Sequence, residues 1–301
     1  MNILTIYQKG ASLVFALIVL FTYPLNAQNQ LEDAIRQLSA DNVSGYMQPF
    51  LNGFSGNMNS GFSGSAKIDD KFTIRIDAIG MATMIGSSEE VYNAVPPSPF
   101  AQQPVRTATV FGDQGAVVQG PEGLSYKFQN GQLDMDYFPL VAPQLTIGNF
   151  YNTQLIFRFF TYSGDSDVPD IDMIGLGLRH GLNQYFGELP VDIAAGVFFQ
   201  SFKIGDIINT NFFSVNGMAS KEFSLLTLYG GLQFEYSNMN LNYTLSSSSG
   251  DQESEVDLSF SSDNYIRAMA GLNLNLGVVH IRTDFNLGKV SVLSASIGFG
   301  I

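Results

Sequence analysis

Apolar and polar residues alternate with a period of two along most of the chain after Lys71. The last segment, residues 290–301, places an apolar side chain at every second position from Leu293 to Ile301, with only Ser or Gly between them. A period of two predicts a β-strand that is apolar on one face. A strand of this kind at the end of an exported chain is typical of the closing strand of an outer-membrane barrel.

The same alternation recurs upstream of the last strand. It is clearest in residues 226–236, 266–276 and 279–287, and is also present in residues 72–78, 154–159, 174–179, 193–199 and 213–219. Weaker candidate strands are residues 105–111, 124–128 and 145–149. We therefore predict an all-β, single-domain, antiparallel transmembrane β-barrel over residues 67–301, with about 12 strands and 14 as the alternative.

The segments that connect the predicted strands differ in length in a regular way. Long connections, residues 86–104, 163–170, 203–211 and 237–264, alternate with shorter ones at 150–152, 183–190, 221–223 and Gly277. The last long-side connection, residues 287–289, is short. Outer-membrane barrels have short periplasmic turns and longer external loops. We expect the first group to be external.

The first 27 residues have the features of an export signal. Lys9 precedes an apolar run, residues 11–21, which is too short to span a bilayer, since that takes about 20 residues. Pro24 interrupts the run before a cleavage site at Ala27. We predict a signal peptide over residues 1–27; a retained anchoring helix is the alternative.

Residues 28–66 differ in pattern from the rest. Leu31, Ala34, Ile35 and Leu38 form one stripe of a short helix, and a stretch rich in Gly, Asn and Ser follows. We expect this segment to be a plug inside the barrel or a periplasmic segment. A flexible tail is the alternative.

The composition narrows the function further. The 27 acidic against 14 basic residues give a net charge of −13, which disfavours nucleic acid as a partner. The chain has no cysteine, hence no disulfide and no thiolate site. It has 13 Tyr and 25 Phe, a content that fits aromatic girdles at membrane interfaces.

Three stretches carry a resemblance to known proteins. PLVAPQLTIG at 139–148, GLGLRH at 175–180 and YGGLQFE at 229–235 resemble a poorly characterised family of outer-membrane barrel proteins, over most of the mature chain. More remotely, the layout resembles the long-chain fatty acid transporter family of the outer membrane, whose members are longer. The resemblance implies a barrel fold and the passage of a hydrophobic compound.

Charged residues occupy positions that the alternation assigns to the lumen. They are Arg75, Asp77, Arg158, Arg179, Glu235, Arg267, Arg282 and Asp284. Such a row can line a solute path and bind an anionic ligand, or its members can pair with one another and hold a plug. We predict these residues as candidate ligand-binding residues and keep the structural alternative open.

Two other groups are weaker candidates for chemistry. His180 and His280 fall near predicted periplasmic strand ends, and the chain has no Gly-x-Ser-x-Gly motif. We predict no catalytic residues, no cofactor and no enzyme activity. Asp165, Asp167, Asp170 and Asp172 are spaced as weak candidates for a hard cation, but a solvated loop is the favoured interpretation and we predict no metal site.

The sequence thus predicts an integral outer-membrane protein that passively transports or binds a small hydrophobic or amphiphilic solute. The alternatives are a non-transporting barrel that presents surface loops for structure or adhesion, and an outer-membrane hydrolase. A channel requires continuous lumen volume, an anchor a filled lumen, and a hydrolase a Ser, a His and an acid in contact. The expected partners are outer-membrane lipids, the barrel-assembly machinery through the C-terminal strand, and a hydrophobic small molecule.

Overall fold

The computed structural model describes residues 40–164, 169–246 and 253–301. The predicted signal peptide and the helix expected at residues 28–39 lie outside the described residues. One helix, α1 (Ala40–Met58), precedes fifteen strands. The strands are β1 (Thr73–Met84), β2 (Val91–Ala94), β3 (Val105–Ala108), β4 (Val117–Gln119), β5 (Ser125–Lys127), β6 (Tyr137–Gly148), β7 (Thr153–Tyr162), β8 (Ile171–Gly181), β9 (Asp192–Ile204), β10 (Ile208–Phe223), β11 (Leu226–Ser246), β12 (Glu253–Ser261), β13 (Ile266–Leu276), β14 (Val279–Leu287) and β15 (Ser291–Gly300).

Ten of these strands close into an antiparallel barrel. The order around the wall is β1, β6, β7, β8, β9, β10, β11, β13, β14 and β15, and β15 returns to pair with β1. Arg75 lies opposite Gly300 at this closing seam. A closed ring leaves no unpaired edge, which is the condition for a sheet to span a membrane.

The barrel is smaller than the sequence predicted. Two of the weak candidate strands, 105–111 and 124–128, belong to β3 and β5, which form separate two-stranded sheets with β2 and β4. Strand β12 pairs only with the outer part of β11, beyond the ring. Alternation describes a strand with two different faces, but it does not distinguish a strand of the wall from one in a connecting loop.

The faces of the wall follow the predicted alternation. Large apolar side chains point away from the lumen and are exposed, among them Ile76, Phe159, Ile174, Leu232, Phe234, Ile297 and Phe299. The residues between them are buried and largely polar or small. The result is an apolar belt around a polar wall lining, as in transmembrane barrels.

The two ends of the barrel differ. At one, the turn end, consecutive strands are joined by short connections such as Ser224 and Gly277, and the chain terminus Ile301 lies there. At the other, the loop end, β1 and β6 are joined by residues 85–136, which we call the cap, and the hairpin of β11 and β12 projects beyond the wall.

Helix α1 lies where the sequence analysis noted only a Gly-, Asn- and Ser-rich stretch. It contains Pro49 and three glycines, which are poor helix formers. Its side chains are buried all round, including Tyr46, Leu51 and Met58, because wall and cap surround it. Tertiary packing therefore overrides the weak helix propensity.

Among the described residues, no helix combines the length and apolar character needed to cross a membrane.

Candidate functional site in the lumen

The lumen is occupied by the chain itself. Residues 40–70, which we call the plug, enter as α1 at the loop end and continue as an irregular segment toward the turn end. Near the loop end the helix contributes to an apolar cluster, in which the Phe54 ring packs against Phe202 and Phe212 at centroid distances of 4.7 and 5.1 Å. The loop-end half of the lumen is therefore a packed hydrophobic core.

Arg158 fixes the end of the helix. Its Nη1 donates to the carbonyl oxygen of Met58 at 3.0 Å, and its Nη2 to that of Ser60 at 2.7 Å. Gln200 donates to the same Met58 carbonyl at 2.6 Å. The guanidinium also lies over the Phe62 ring, 3.6 Å from its centroid. The last carbonyls of a helix have no partner within the helix, and here the wall provides one.

Three more arginines hold successive points along the plug. Arg267 donates to the carbonyl of Gly56 at 2.8 Å, Arg179 to that of Phe62, and Arg282 to that of Ser63 at 2.8 Å. Gln233 adds a bond to the carbonyl of Asn59 at 2.8 Å. These donors come from different sides of the ring, so the plug is tied to the wall along its length. In each of these contacts a wall side chain donates to a main-chain carbonyl of the plug. A plug of any sequence would present such carbonyls.

Acidic residues balance part of the arginine charge. Arg267 pairs with Glu235 at 2.9 Å, and both side chains are only 1% exposed. Asp77 pairs with Arg75 and with Arg282, each at 3.0 Å. Burying a charge costs much free energy unless the charge is paired or hydrogen-bonded, and these contacts supply the pairing for Arg267, Arg75 and Arg282.

Asp284 is held by neutral donors. The Tyr229 hydroxyl donates to its Oδ2 at 3.0 Å, and the Asn286 amide donates to its other oxygen. The hydrogen bonds of Arg158 and Arg179 go to amide and main-chain oxygens, including Gln144 and Gln154. The plug carbonyls therefore solvate two guanidinium groups to which no carboxylate is bonded in the described part of the chain.

The structure thus brings all eight predicted lumen residues to the inner wall and connects most of them to the plug or to each other. The glutamines Gln144, Gln200 and Gln233 also take part, although the sequence analysis did not predict them as site residues. Their inward positions in the alternation were the available signal. The plug carbonyls have no side-chain signature, so the sequence could not reveal them.

A cavity of about 320 Å³ lies at the turn end, below the plug. Its lining includes Lys67, Arg75, Arg179, Glu222 and His280. Gly64 and Ser65 of the plug also line it, so the plug separates it from the apolar cluster. The cavity is a polar vestibule rather than a continuous channel.

The histidines lie at this end as well, among neutral partners. His180 contacts the hydroxyls of Thr153 and Tyr185 at 2.8 and 2.9 Å, and His280 contacts the Asn275 amide oxygen at 2.9 Å. Neither ring is bonded to a carboxylate in the described hydrogen bonds. The described geometry gives no support to the hydrolase alternative.

The weak cation candidates are only partly described. Asp165 and Asp167 lie outside the described residues. Asp170 accepts a bond from the Gly164 amide at 2.8 Å, and Asp172 one from the Thr161 hydroxyl at 2.7 Å. No metal-holding group of His, Cys, Asp or Glu occurs among the residues that the structure describes.

A closed antiparallel ring with an apolar outer belt defines the class of transmembrane β-barrels, and some members of this class carry an internal plug, as this chain does. The chain belongs to the family of unknown function DUF6588, whose model matches residues 8–301. The predicted resemblance to a poorly characterised barrel family is thereby confirmed. No curated protein matches the sequence.

Similar solved structures are also barrels. The N-terminal β-barrel domain of Pseudomonas aeruginosa OprF is 13% identical, with 50% of this chain and 98% of that chain covered and a TM-score of 0.25. The Ralstonia pickettii toluene transporter TbuX is 9% identical, with coverages of 88% and 98% and a TM-score of 0.26. A Pseudomonas aeruginosa FadL homologue is 10% identical, with coverages of 82% and 97% and a TM-score of 0.28. Such low scores support no conclusion about function.

Proposed function

We propose that this protein is an integral outer-membrane barrel that is closed by its own N-terminal segment and serves to present the cap and the β11–β12 hairpin at the outer face. The observation that carries the proposal is the filled lumen. Phe54 and its neighbours fill the loop-end half of the lumen. The middle is occupied by the plug and by the side chains of Arg158, Arg267 and Arg282, which are hydrogen-bonded to it. A solid interior is what an anchor requires.

The placement in the outer membrane is supported by two features of the described fold. The exposed apolar belt matches a lipid-facing surface, and the asymmetry between short turns and a long cap matches external loops at the loop end. The barrel-assembly machinery is the proposed partner during insertion, because β15 offers it a C-terminal strand with one exposed apolar face.

The cap is built as part of this anchor. The Val110 amide donates to the Tyr46 carbonyl of α1 at 3.1 Å, and the Asn52 side chain receives a bond from the Asp263 amide at 3.0 Å. Glu89 in the cap pairs with Lys289 between β14 and β15 at 3.3 Å. Plug, cap and wall are therefore linked at the loop end, which gives the cap a fixed position on the barrel.

Conductance in planar lipid bilayers tests the closure. We expect the wild-type protein to show no stepwise ion conductance, and a variant lacking residues 40–66 to conduct, provided that heat-modifiability shows a folded barrel. Arg106→Ala, which changes an exposed side chain in the cap, is the matched control and should conduct no more than the wild type. Steady conductance of the wild-type protein would overturn the proposal.

A second candidate function is the binding or gated passage of an amphiphile, which one feature of the wall favours. Strands β6 and β7 are paired only over residues 144–147 and 155–158, and Pro139 and Pro143 lie beyond this ladder. Proline lacks the amide hydrogen that a ladder needs. The wall is thus weakly joined next to the apolar cluster around Phe138.

Uptake of a radiolabelled long-chain carboxylate by cells distinguishes the two functions. If the plug gates a passage, Arg158→Ala should raise uptake above the wild-type level, while Arg106→Ala should not. Equal uptake by cells with the wild type, either variant or no protein supports the anchor.

A further inference from the structure

The vestibule at the turn end is lined by a buried arginine that has no acidic partner. Arg179 is 2% exposed and forms part of the cavity wall. Its Nη1 donates to Gln154 at 3.4 Å and its Nη2 to the Phe62 carbonyl, but its Nε has no hydrogen-bond partner in the described part of the chain. Burying a guanidinium group without a counter-charge costs free energy, and an anion bound in the cavity would offset that cost.

The charges of the lumen are unequal in number. Among the eight lumen charges predicted from the sequence, five are arginines and three are acids, an excess of two positive charges in a chain whose net charge is −13. Three of the arginines have carboxylate partners: Arg75, Arg267 and Arg282. Of the other two, Arg158 is enclosed by plug carbonyls, whereas Arg179 lines the vestibule. Arg179 is therefore the unpaired charge that a solute can approach.

The rest of the lining offers both donors and acceptors. Arg75 adds a second guanidinium group, 19% exposed, and Asn273 adds a buried amide oxygen that has no hydrogen-bond partner among the described residues. Other polar side chains of the wall are those of Thr146, Gln154 and Thr227. The volume of about 320 Å³ has room for on the order of ten water-sized groups, at about 30 Å³ each. This lining suits a solute that combines a negative charge with hydroxyl groups.

We propose that the vestibule binds a small hydroxylated organic acid as its monoanion. The carboxylate lies against Arg179 and Arg75, and the hydroxyl groups lie against the amide and hydroxyl side chains of the wall. The site is below the plug, so binding requires no passage through the barrel. The proposal therefore goes beyond the anchor function and is compatible with a closed lumen.

Acidic side chains at the entrance limit the charge that the ligand can carry. Asp69 is exposed and lines the cavity, and Glu222 lines it but is paired with Lys67 at 2.9 Å. A single carboxylate is attracted by the two guanidinium groups inside, whereas a polyanion would also be repelled by these two acids. The Asp69 carboxylate thus opposes binding, so its removal should have the opposite effect to the removal of an arginine.

Saturation-transfer NMR on the full chain in a non-ionic detergent tests the site with two probes. D-gluconate is a hydroxylated carboxylate, and sorbitol is its uncharged counterpart. We expect gluconate to bind and sorbitol to give no measurable binding. Arg179→Gln removes the charge and keeps an amide donor. It should weaken gluconate binding about tenfold or more, since a hydrogen bond to a charged group contributes that much. Heat-modifiability shows whether this variant folds.

A second pair of variants tests the site without touching the contact between Arg179 and the plug. Asp69→Asn should tighten gluconate binding about two- to fivefold, because an exposed charge has a modest effect. Asp70→Asn, an exposed neighbour that does not line the cavity, should change it little. No binding of gluconate, equal binding of gluconate and sorbitol, or equal effects of the Asp69 and Asp70 variants would overturn the proposal. These outcomes do not depend on whether the wild-type barrel conducts, so the anchor function is tested separately.

Discussion

Arg158 and Met58 meet at the centre of the barrel, where the guanidinium of a wall strand donates at 3.0 Å to the last carbonyl of α1. Arg158 is 1% exposed, so both the charge and the carbonyl are removed from water. Two buried groups that satisfy each other are costly to separate. This contact therefore joins the stability of the wall to the position of the plug.

Replacing Arg158 should loosen the plug. We expect Arg158→Met to lower the free energy of unfolding by about 1–3 kcal/mol, because the Ser60 carbonyl loses its donor while remaining buried. Urea unfolding in lipid vesicles measures the change. Arg106→Met, on the exposed face of β3, should change it little. Equal losses in the two variants would contradict the role of Arg158.

A charge on the outward face of β15 should be less destabilising near the membrane surface than at the middle of the bilayer. Ile297 is 45% exposed near the middle of the strand, and Ile301 is 84% exposed at the end. Ile297→Lys should cost about 2–4 kcal/mol and Ile301→Lys about 0–1 kcal/mol, since the penalty for a cation falls toward the interface. Folding yield into vesicles, read from heat-modifiability gels, checks the difference. Similar yields would mean that this face does not contact lipid.

The fold of the cap depends on a close approach of two main-chain segments. A Cβ added to Gly131 would lie 1.7 Å from the Gly112 carbonyl oxygen, whereas one added to Gly86 would find its nearest neighbour at 4.0 Å. We expect Gly131→Ala to open the cap to limited proteolysis while the barrel fragment stays resistant. Gly86→Ala serves as the control, and an uncleaved cap in Gly131→Ala would refute the expectation.

The contact between Lys67 and Glu222 should weaken at high pH. The hydrogen bond and charge of Glu222 raise the pKa of Lys67 above its ordinary value of 10.5. A raised pKa in the folded state gives stabilisation that is present below the unfolded value and lost as the pH rises through the folded value.

The expected stabilisation is small, at most about 1 kcal/mol, because both side chains are partly exposed and solvent screens the pair. It is measured as the difference in unfolding free energy between the wild type and Lys67→Gln. This difference should be present at neutral pH and vanish well above pH 10.5. A difference that is constant across this range would exclude the ion pair as its source.

The sequence by itself determined the chemistry of each face of the wall. In a strand, neighbouring side chains point to opposite faces, so alternation assigned Phe299 to the lipid side and Arg267 and Glu235 to the lumen before any contact was known. The charges on the inner face followed from the same local rule. The partners of these charged residues did not follow from that rule.

Only the tertiary structure decided the size of the ring and the contents of the lumen. Residues 105–111 were predicted as a strand like those of the wall, but the strand that forms there, β3, spans only Val105–Ala108 and pairs with β2. Pairing between distant segments leaves no mark in local periodicity. Likewise, α1 forms around Pro49 and its glycines because the enclosing wall and cap bury it, a gain that propensity cannot include. Arg158 is aimed inward by its strand, but it holds Met58 because the fold brings together two groups that lie far apart in the chain.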